Sequence, residues 1–313
     1  VQVVNGVSQY SLANNGGFLF NSFRNFIGPS WSEPNYRFNG SIGNSAYTAA
    51  YLIFIMFYAG YLLISKYRER LRSFGAIRLM VVIAFFGLFF LLAATRGAFL
   101  GLIAAFLSMV FYLGFVNKIW RRRLLGLGAA FLLAVMLLIA FRDMAFVKKL
   151  PFARIFDISF SAETFSDRRM IWGMAWEGFK ERPVFGWGPE NFSEVFDRHF
   201  DIAFFTPSQG FGAWFDRAHN VFFDYLTETG LVGFLSYLFI FVVFYWQAFK
   251  RGKPVASEKE HKKDQQPAVL IKALIFGLFV AYLVQGLVLF DVLTIYLNLF
   301  LSLAFAVYYF NFR

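Results

Sequence analysis

Seven apolar runs of roughly 20 residues decide what this chain can fold into. Each run is long enough to cross the ~30 Å hydrocarbon core of a bilayer as an α-helix. The runs are 46–64, 77–95, 98–116, 124–141, 230–249, 269–290 and 292–309. A chain of 313 residues with 46 Phe cannot bury all of them in one water-soluble core. The sequence therefore predicts an all-α integral membrane protein with about seven transmembrane helices.

The distribution of charge orients these helices. Lys and Arg cluster in three short connections, at 66–78, 118–123 and 250–272. The positive-inside rule places such clusters in the cytoplasm, and alternate crossings put all three on that side. With this topology the cytoplasmic side carries a net charge of +13 and the other side −2. The basic excess is therefore explained by membrane orientation, and it does not indicate nucleic-acid binding.

The spans divide the chain into four segments. Residues 1–45 are rich in Asn, Ser and Gly and are interpreted as an extracytoplasmic loop of a longer protein with more helices upstream. Four helices are expected in 46–141, and three more, with a basic cytoplasmic loop, in 230–313. The loop at 142–229 is too long for a simple connection, and we expect it to lie outside the cytoplasm and to carry the active site.

The first candidate in this loop is Arg168, within the run Ser-Asp-Arg-Arg at 166–169. A helical pattern follows the run, so its Ser or Asp is the expected N-cap and Arg168 falls in the first turn. Free backbone N–H groups together with an Arg make a phosphate-binding arrangement. A salt bridge to the preceding Asp or a stack on Trp172 explains Arg168 equally well, so both interpretations stay open.

The second candidate is His219, where the loop approaches the fifth span. A lone His at a membrane interface is ordinarily an amphipathic boundary residue. Here Arg217 and Asn220 stand beside it, and acidic residues follow at 224 and 228. These neighbours suit a general base whose pKa is tuned by its surroundings.

Two more arginines face the same side of the membrane. Arg96 lies in a turn between two apolar spans, where it either snorkels outward or has a fixed anionic partner, and we favour the partner. Arg37 precedes the first span as an anion ligand or an interface anchor, and the anchor is favoured. Trp187 stands between Gly186 and Gly188, which we interpret as structural turn residues. Its ring suits either sugar stacking or interfacial anchoring.

A metal site is not predicted. Asp197, His199 and Asp201 have the composition of a ligand set, but Arg198 intervenes and solvated surface charge is the commoner explanation. The chain has no Cys, which removes thiolate nucleophiles, iron–sulfur clusters and Cys-type zinc sites. We therefore expect neither a metal nor another cofactor.

The short motifs around these candidate residues resemble, in their order and spacing, those of the superfamily of O-antigen ligases, O-antigen polymerases and bacterial O-oligosaccharyltransferases. The resemblance covers almost the whole chain, although the N-terminal helices that such proteins carry are missing. The matching pieces are Arg-x-x-Gly at 37–40, Thr-Arg-Gly at 95–97, Ser-Asp-Arg with Trp four residues after Arg168, Pro-x-x-Gly-x-Gly-Pro at 183–189, His-Asn at 219–220 and Glu-Thr-Gly-Leu-Val-Gly at 228–233.

The resemblance implies a membrane glycosyltransferase of the C-type fold, of which this chain is the C-terminal part. It would lie in the bacterial cytoplasmic (inner) membrane, with its active site on the extracytoplasmic face. The implied donor is a glycan on undecaprenyl pyrophosphate. The implied acceptor is a glycolipid such as lipid A-core in lipopolysaccharide biosynthesis, another lipid-linked glycan, or a protein hydroxyl. The sequence does not distinguish a ligase from a polymerase or a protein transferase.

The resemblance also implies roles for individual residues. Arg96 and Arg168 would hold the pyrophosphate without a metal, and His219 would help to activate the acceptor hydroxyl. Arg169 replaces Arg168 if the helix starts one residue later. The remaining expected substrate contacts are Arg37, Arg217, Asn220 and Trp187. The competing class is a transporter or flippase for an anionic lipid-linked glycan, which should carry ionisable groups within several spans.

Overall fold

The computed structural model of the chain describes residues 37–148, 150, 153–156, 163–202, 214–249 and 262–312. Within these ranges the regular structure is helical, and no β-strand occurs. The expected loop character of residues 1–36 and of the basic connection at 250–261 lies outside the described residues.

Seven helices of the described chain are long and apolar enough to cross a membrane, which confirms the predicted all-α membrane fold. Three further helices, α5 to α7, belong to the large loop. In chain order the helices are α1 (Ser45–Tyr67), α2 (Phe74–Leu92), α3 (Arg96–Val116), α4 (Arg121–Ala140), α5 (Ala145–Lys148), α6 (Glu163–Glu181), α7 (Phe192–Arg198), α8 (Val221–Phe249), α9 (Lys262–Gly286) and α10 (Leu293–Phe312).

Polar side chains at the helix starts set several of these boundaries. The Asn44 side chain accepts a hydrogen bond from the backbone N–H two residues on, at 2.8 Å. Ser73 accepts one from the N–H three residues on, at 3.3 Å. At the start of α8, the Asn220 side chain accepts one from the N–H two residues on, at 2.9 Å. Each cap satisfies a backbone donor that the first helical turn leaves without an intrahelical partner.

Helix α9 lies at the centre of the bundle, where it packs against α3 and α1. In its apolar stretch 61% of the residues are buried, against 11% in α4, which lies at the edge and contacts α3. Close approach of α3 and α9 depends on Gly101, because a Cβ there would come within 2.8 Å of the Ala281 carbonyl oxygen. Small residues at such crossings let helix backbones pack tightly in a membrane.

The sixth apolar run does not form a helix throughout, so the predicted span 269–290 is too long. Helix α9 ends at Gly286, and residues 287–290 form a turn against the start of α8. The Val221 N–H donates to the Leu289 carbonyl at 3.1 Å, and the Asn220 amide donates to the Leu287 carbonyl at 3.0 Å. Hydrophobicity alone does not distinguish the last turn of a helix from an apolar turn, because the backbone of such a turn can form its hydrogen bonds with another part of the protein.

Helix α8 bends at Gly230, which has φ 64° and ψ −167°. The turn at 183–188 fits into this bend, and a Cβ on Gly186 would lie 2.5 Å from the backbone of Glu228. The structural interpretation of this glycine is therefore confirmed. Four backbone hydrogen bonds join the two parts: Trp187 to Thr227 (3.0 Å), Gly188 to Glu228 (2.7 Å), Leu231 to Pro183 (2.8 Å) and Val232 to Val184 (3.2 Å).

Candidate active site

Three arginines from distant parts of the sequence form one positively charged region at the loop end of the bundle. Burial and then the charges of Arg154 and Arg96 lower the pKa of Arg37. Burial and then the charge of Arg96 lower the pKa of Arg168. The charge of Arg168 in turn acts on His219. The structure therefore brings together Arg37, Arg96, Arg168 and His219, all of which the sequence singled out.

Arg37 is held against the turn that leads into Arg96. Its Nε donates to the Ala93 carbonyl at 3.3 Å, and its Nη2 donates to the Thr95 hydroxyl at 3.1 Å. The turn has an unusual backbone, because Ala94 adopts a φ of +46°. These contacts fix Arg37 to the turn, and its role as an anion ligand or an interface anchor stays a prediction.

Arg168 lies in the second turn of α6, because this helix begins at Glu163. The predicted N-cap at 166 or 167 is wrong, and so is the argument from free backbone N–H groups. No Gly or Pro interrupts residues 163–167, and Ser and Asp are only moderately unfavourable inside a helix. The positive character of this part of the site therefore comes from side chains rather than from a helix end.

The surroundings of Arg168 bear on the salt bridge and the stack that the sequence left open. Within the described residues Arg168 makes no hydrogen bond or ion pair. Trp172 stacks on Phe223 at a ring distance of 5.8 Å and donates its indole N–H to the Ala218 carbonyl at 3.0 Å. Neither the salt bridge to the preceding Asp nor the stack on Trp172 is formed. Arg169, the alternative, is exposed to solvent.

His219 has a constrained backbone and a fixed ring. Its φ is +54°, which few residues other than Gly adopt. The imidazole lies edge-to-face between Phe215 and Phe290, at ring distances of 5.1 and 5.0 Å. Its Nδ1 is 3.2 Å from the Arg217 carbonyl. Since a carbonyl only accepts, this bond places the proton on Nδ1 and leaves the Nε2 lone pair available.

The pKa of His219 is lowered, so the ring is neutral at neutral pH. Burial is the main cause, and the positive charge of Arg168 adds to it. The hydrogen bond to the Arg217 carbonyl and the negative charge of Asp216 act in the opposite direction and are outweighed. A neutral imidazole with a free Nε2 has the protonation state that a general base requires.

The backbone around His219 is held from two helices. The Ala218 N–H donates at 2.7 Å to the Oδ1 of Asp224, which lies in the first turn of α8. Its carbonyl accepts from Trp172 on α6. Asn220 caps α8 and also donates to the turn after α9, so both ends of its amide act within the protein. Its predicted role as a substrate contact gains no support from this geometry.

Arg217 lies between carboxylates. It forms ion pairs with Glu190 and with Glu228, the latter at 2.7 Å. Burial lowers the pKa of Arg217, but the Glu190 hydrogen bond and the charges of Glu228, Glu190 and Asp224 outweigh it, so the pKa is raised overall. Arg217 is therefore engaged within the protein in this structure, although the sequence proposed it as a substrate contact.

Trp187 is buried, with 8% of its surface exposed. Its indole N–H donates to the Gly178 carbonyl at 2.7 Å, and Arg182 and Arg198 lie 4.0 and 5.5 Å from the ring centre. These contacts leave little ring surface for a sugar. Trp214, in contrast, is 60% exposed, so it is the better placed aromatic for stacking.

Two of the side chains at 197–201 that have the composition of a metal-ligand set contact other residues of the loop. Asp197 accepts the indole N–H of Trp214 at 2.9 Å, and His199 lies 3.1 Å from Glu181. In the part of the chain that the structure describes, no three His, Cys, Asp or Glu side chains are close enough to hold a metal ion.

Sequence reasoning missed two residues of this region. Arg154 adds positive charge beside Arg37, and Phe290 covers one side of the His219 ring. Phe290 was assigned to a span because it is apolar, and Arg154 has no motif around it. Asp224 was expected only to tune His219, and the structure shows that it also supports the backbone before His219.

Residues 83–238 match a family model described as O-antigen ligase. The match runs from α2 into α8 and includes Arg96, Arg168 and His219. The chain belongs to the O-antigen ligase-like superfamily. It is thus a multi-pass membrane protein of the O-antigen ligase or polymerase type, as its motifs indicate. No curated protein matches the chain significantly.

Proposed function

We propose that this O-antigen ligase-like protein is a metal-independent glycosyltransferase that moves a glycan from undecaprenyl pyrophosphate to an acceptor hydroxyl. The observation that carries the proposal is the position of His219. A neutral imidazole, held between two aromatic rings, lies next to Arg168, and the charge that acts on Arg168 is that of a second arginine, Arg96. A base beside an anion-binding region is what this reaction requires.

In the proposed reaction, His219 accepts the proton of the acceptor hydroxyl on Nε2. The acceptor oxygen forms a bond to the anomeric carbon of the glycan. The bond between that carbon and the pyrophosphate oxygen breaks, and the leaving lipid pyrophosphate takes the electron pair. A well-placed base accelerates such a step by about 10²–10⁴-fold. The proton on His219 is later released to solvent, which returns the neutral base.

The arginines stabilise the leaving group in this proposal. Negative charge builds up on the pyrophosphate in the transition state, and fixed cations lower its energy. An arginine fork binds two phosphate oxygens at once, which a lysine does not. This role falls to Arg168, whose charge acts on His219, and to Arg96, whose charge acts on Arg168.

Transfer by the purified full-length protein tests the proposal. The protein in proteoliposomes receives an undecaprenyl-pyrophosphate-linked glycan together with lipid A-core, a second lipid-linked glycan or a protein acceptor. We expect a new glycosidic bond on one acceptor and one released undecaprenyl pyrophosphate for each bond formed. Movement of the donor across the bilayer with no new bond would contradict the proposal and indicate a flippase.

The proposed site faces the extracytoplasmic side, a conclusion that rests on the charge of the loops. Alkaline phosphatase fused at Ser193 should be active, and a fusion at Ser257 should be inactive, because this phosphatase folds only outside the cytoplasm. The reverse pattern would contradict both the orientation and the assigned location of the site.

A further inference from the structure

The ring of Phe290 contacts both His219 and a tyrosine of the first membrane helix. Its centre lies 5.0 Å from the centre of the His219 ring and 5.5 Å from that of Tyr47, and both contacts are edge-to-face. The turn after α9, which carries Phe290, is hydrogen-bonded to the start of α8. Gln285 ties the end of α9 to the first turn of α1, because its amide donates to the Ala46 carbonyl at 3.3 Å. Tyr47 and His219 are therefore held against the same fixed ring.

An exposed carboxylate, Asp216, lies close to both of these side chains. It stands three residues before His219, and its negative charge acts on His219 and on Tyr47. The next residue, Arg217, also acts on Tyr47, and its guanidinium lies 5.8 Å from the centre of the Phe290 ring. Tyr47, Asp216 and His219 therefore surround one small surface of the loop end of the bundle.

The fold does not use the polar atoms of Tyr47 and Asp216. Neither side chain makes a hydrogen bond or ion pair with the residues that the structure describes, and the Tyr47 oxygen is not buried. In contrast, Asp224 accepts a backbone N–H at 2.7 Å, and Tyr58 of α1 donates to Asn298 at 3.0 Å. A tyrosine hydroxyl both donates and accepts hydrogen bonds, and a carboxylate accepts several. Such groups beside aromatic rings suit a sugar, whose hydroxyls need polar partners and whose C–H faces pack on rings.

We propose that Tyr47 and Asp216 form a carbohydrate subsite that holds the acceptor sugar beside His219. The inference rests on the proposed function, because it assumes that His219 deprotonates the acceptor hydroxyl. In a direct displacement the acceptor oxygen and the leaving pyrophosphate lie on opposite sides of the anomeric carbon. Since the pyrophosphate is assigned to the Arg168 side, the groups beside Phe290 and Arg217 fall to the acceptor.

The subsite orients the acceptor through the hydroxyls that flank the reacting one. These hydroxyls bind Tyr47 and Asp216, and the reacting hydroxyl then points to the Nε2 of His219. A serine or threonine side chain carries a single hydroxyl and has no flanking one to bind. The acceptor is therefore a glycan rather than a protein, and Tyr47 and Asp216 are specificity-determining residues.

Transfer by the purified full-length protein, measured over a range of concentrations of lipid A-core or of a second lipid-linked glycan, tests the subsite. Y47F removes the hydroxyl and keeps the ring against Phe290, so the KM for the acceptor should rise about 3–10-fold. D216N removes a charged acceptor, and the KM should rise about 10–100-fold, because hydrogen bonds to charged groups are stronger. Loss of the Asp216 charge lowers the pKa of His219 further, so the base stays neutral and kcat should change less than about threefold.

Two control variants and one binding probe separate the subsite from other effects. Y51F makes the same change one turn further along α1, and E177Q removes another exposed acid of the loop. Neither should change the KM for the acceptor. Binding of farnesyl pyrophosphate should be the same in Y47F, D216N and the wild type, because the donor side is untouched. Thermal unfolding of Y47F and D216N should also match the wild type, since neither side chain bonds to the described part of the chain.

The possible results distinguish the subsite from the proposed function. A normal acceptor KM in Y47F and D216N, with an active wild type, would overturn the subsite and leave the proposed function standing. A wild type that transfers only to a protein acceptor would do the same, and so would loss of farnesyl pyrophosphate binding in either variant. Equal increases of KM in Y51F or E177Q would indicate a general disturbance and would also overturn the subsite. A wild type that forms no glycosidic bond with any acceptor would refute the proposed function, and the subsite with it.

Discussion

Arg168 and Arg217 both lie beside His219, yet their surroundings are opposite. The charges that act on Arg217 are mainly carboxylates, and its pKa is raised. The charge that acts on Arg168 is another arginine, and its pKa is lowered. Carboxylates therefore act on the arginine at one side of His219, whereas another arginine acts on the arginine at the other side. The comparison shows that an arginine near a base is a candidate anion ligand only where the protein itself has not supplied the anion.

The physical consequence is a division between stability and function. Ion pairs on the Arg217 side hold the turn of His219 to α8 and to the turn after Trp187. On the Arg168 side the positive charge of Arg96 acts on Arg168, and under the proposed function the donor pyrophosphate would offset this repulsion. Residues that break a local rule in this way are typical of functional sites. The predictions below test this division, from the largest effect to the smallest.

Replacement of His219 should have the largest effect. In H219A the base is lost, so single-turnover transfer should fall by about 10²–10⁴-fold. Donor binding, measured on the same purified protein, should stay near the wild-type value because the arginines remain. H199A, which alters another half-buried His of the loop, is the control and should transfer normally. Loss of donor binding in a folded H219A protein would mean that the role is misassigned.

Replacement of Arg168 by Lys should come next. The charge is kept but the fork is lost, so transfer should fall by about one to three orders of magnitude, or roughly 1.4–4 kcal/mol in the barrier. R169K makes the same change at the exposed neighbour and should have little effect. Near-normal transfer by R168K, or a larger loss in R169K, would show that the wrong arginine has been chosen.

The ion pairs of Arg217 predict an effect on the stability of the protein. R217Q removes the partner of Glu228, whose side chain is 9% exposed, and should destabilise the protein by about 3 kcal/mol. R168Q removes a repulsive neighbour and should leave stability unchanged or raised. Thermal unfolding in one detergent measures both variants. Equal melting temperatures for the wild type and R217Q would remove the distinction between the two sides.

The pH dependence of transfer should reveal the base. Because the folded-state pKa of His219 lies below its ordinary value, transfer should be constant at neutral pH and fall as the pH drops through that lowered pKa. R168Q removes a positive neighbour, so its falling limb should move to higher pH. Burial raises the pKa of Asp291 to about 6, so D291N is the necessary control. A limb that disappears in D291N would identify Asp291 as the titrating group.

Chelation should have the smallest effect. If arginines balance the charge of the leaving group, transfer in detergent should change less than about twofold on addition of EDTA. Loss of transfer with EDTA and its recovery with Mn²⁺ or Mg²⁺ would show that a metal takes part. Asp197, His199 and Asp201 would then be the first residues to replace.

Many residues of the candidate site could be predicted from the sequence, because they are unusual where they stand. Arg96 is conspicuous between two apolar runs, and His219 stands in a recognisable motif. The contacts that surround these residues could not be predicted from the sequence. The helix start before Arg168 was misplaced because Ser and Asp suit both a cap and a helix interior. No motif surrounds Arg154 in the sequence. Its position near Arg37 depends on buried neighbours in the folded protein.

The sequence by itself determined the membrane-spanning α-helical architecture and the family, because hydrophobic length and motif order are properties of the chain alone. Tertiary structure alone decided which arginines are engaged by carboxylates. The sequence singled out Arg168 as a pyrophosphate ligand and gave Arg217 as a further substrate contact, but it did not show which charged residues each one meets. Only folding places Glu190 and Glu228 around one and Arg96 beside the other, since charge interactions depend on distances in space.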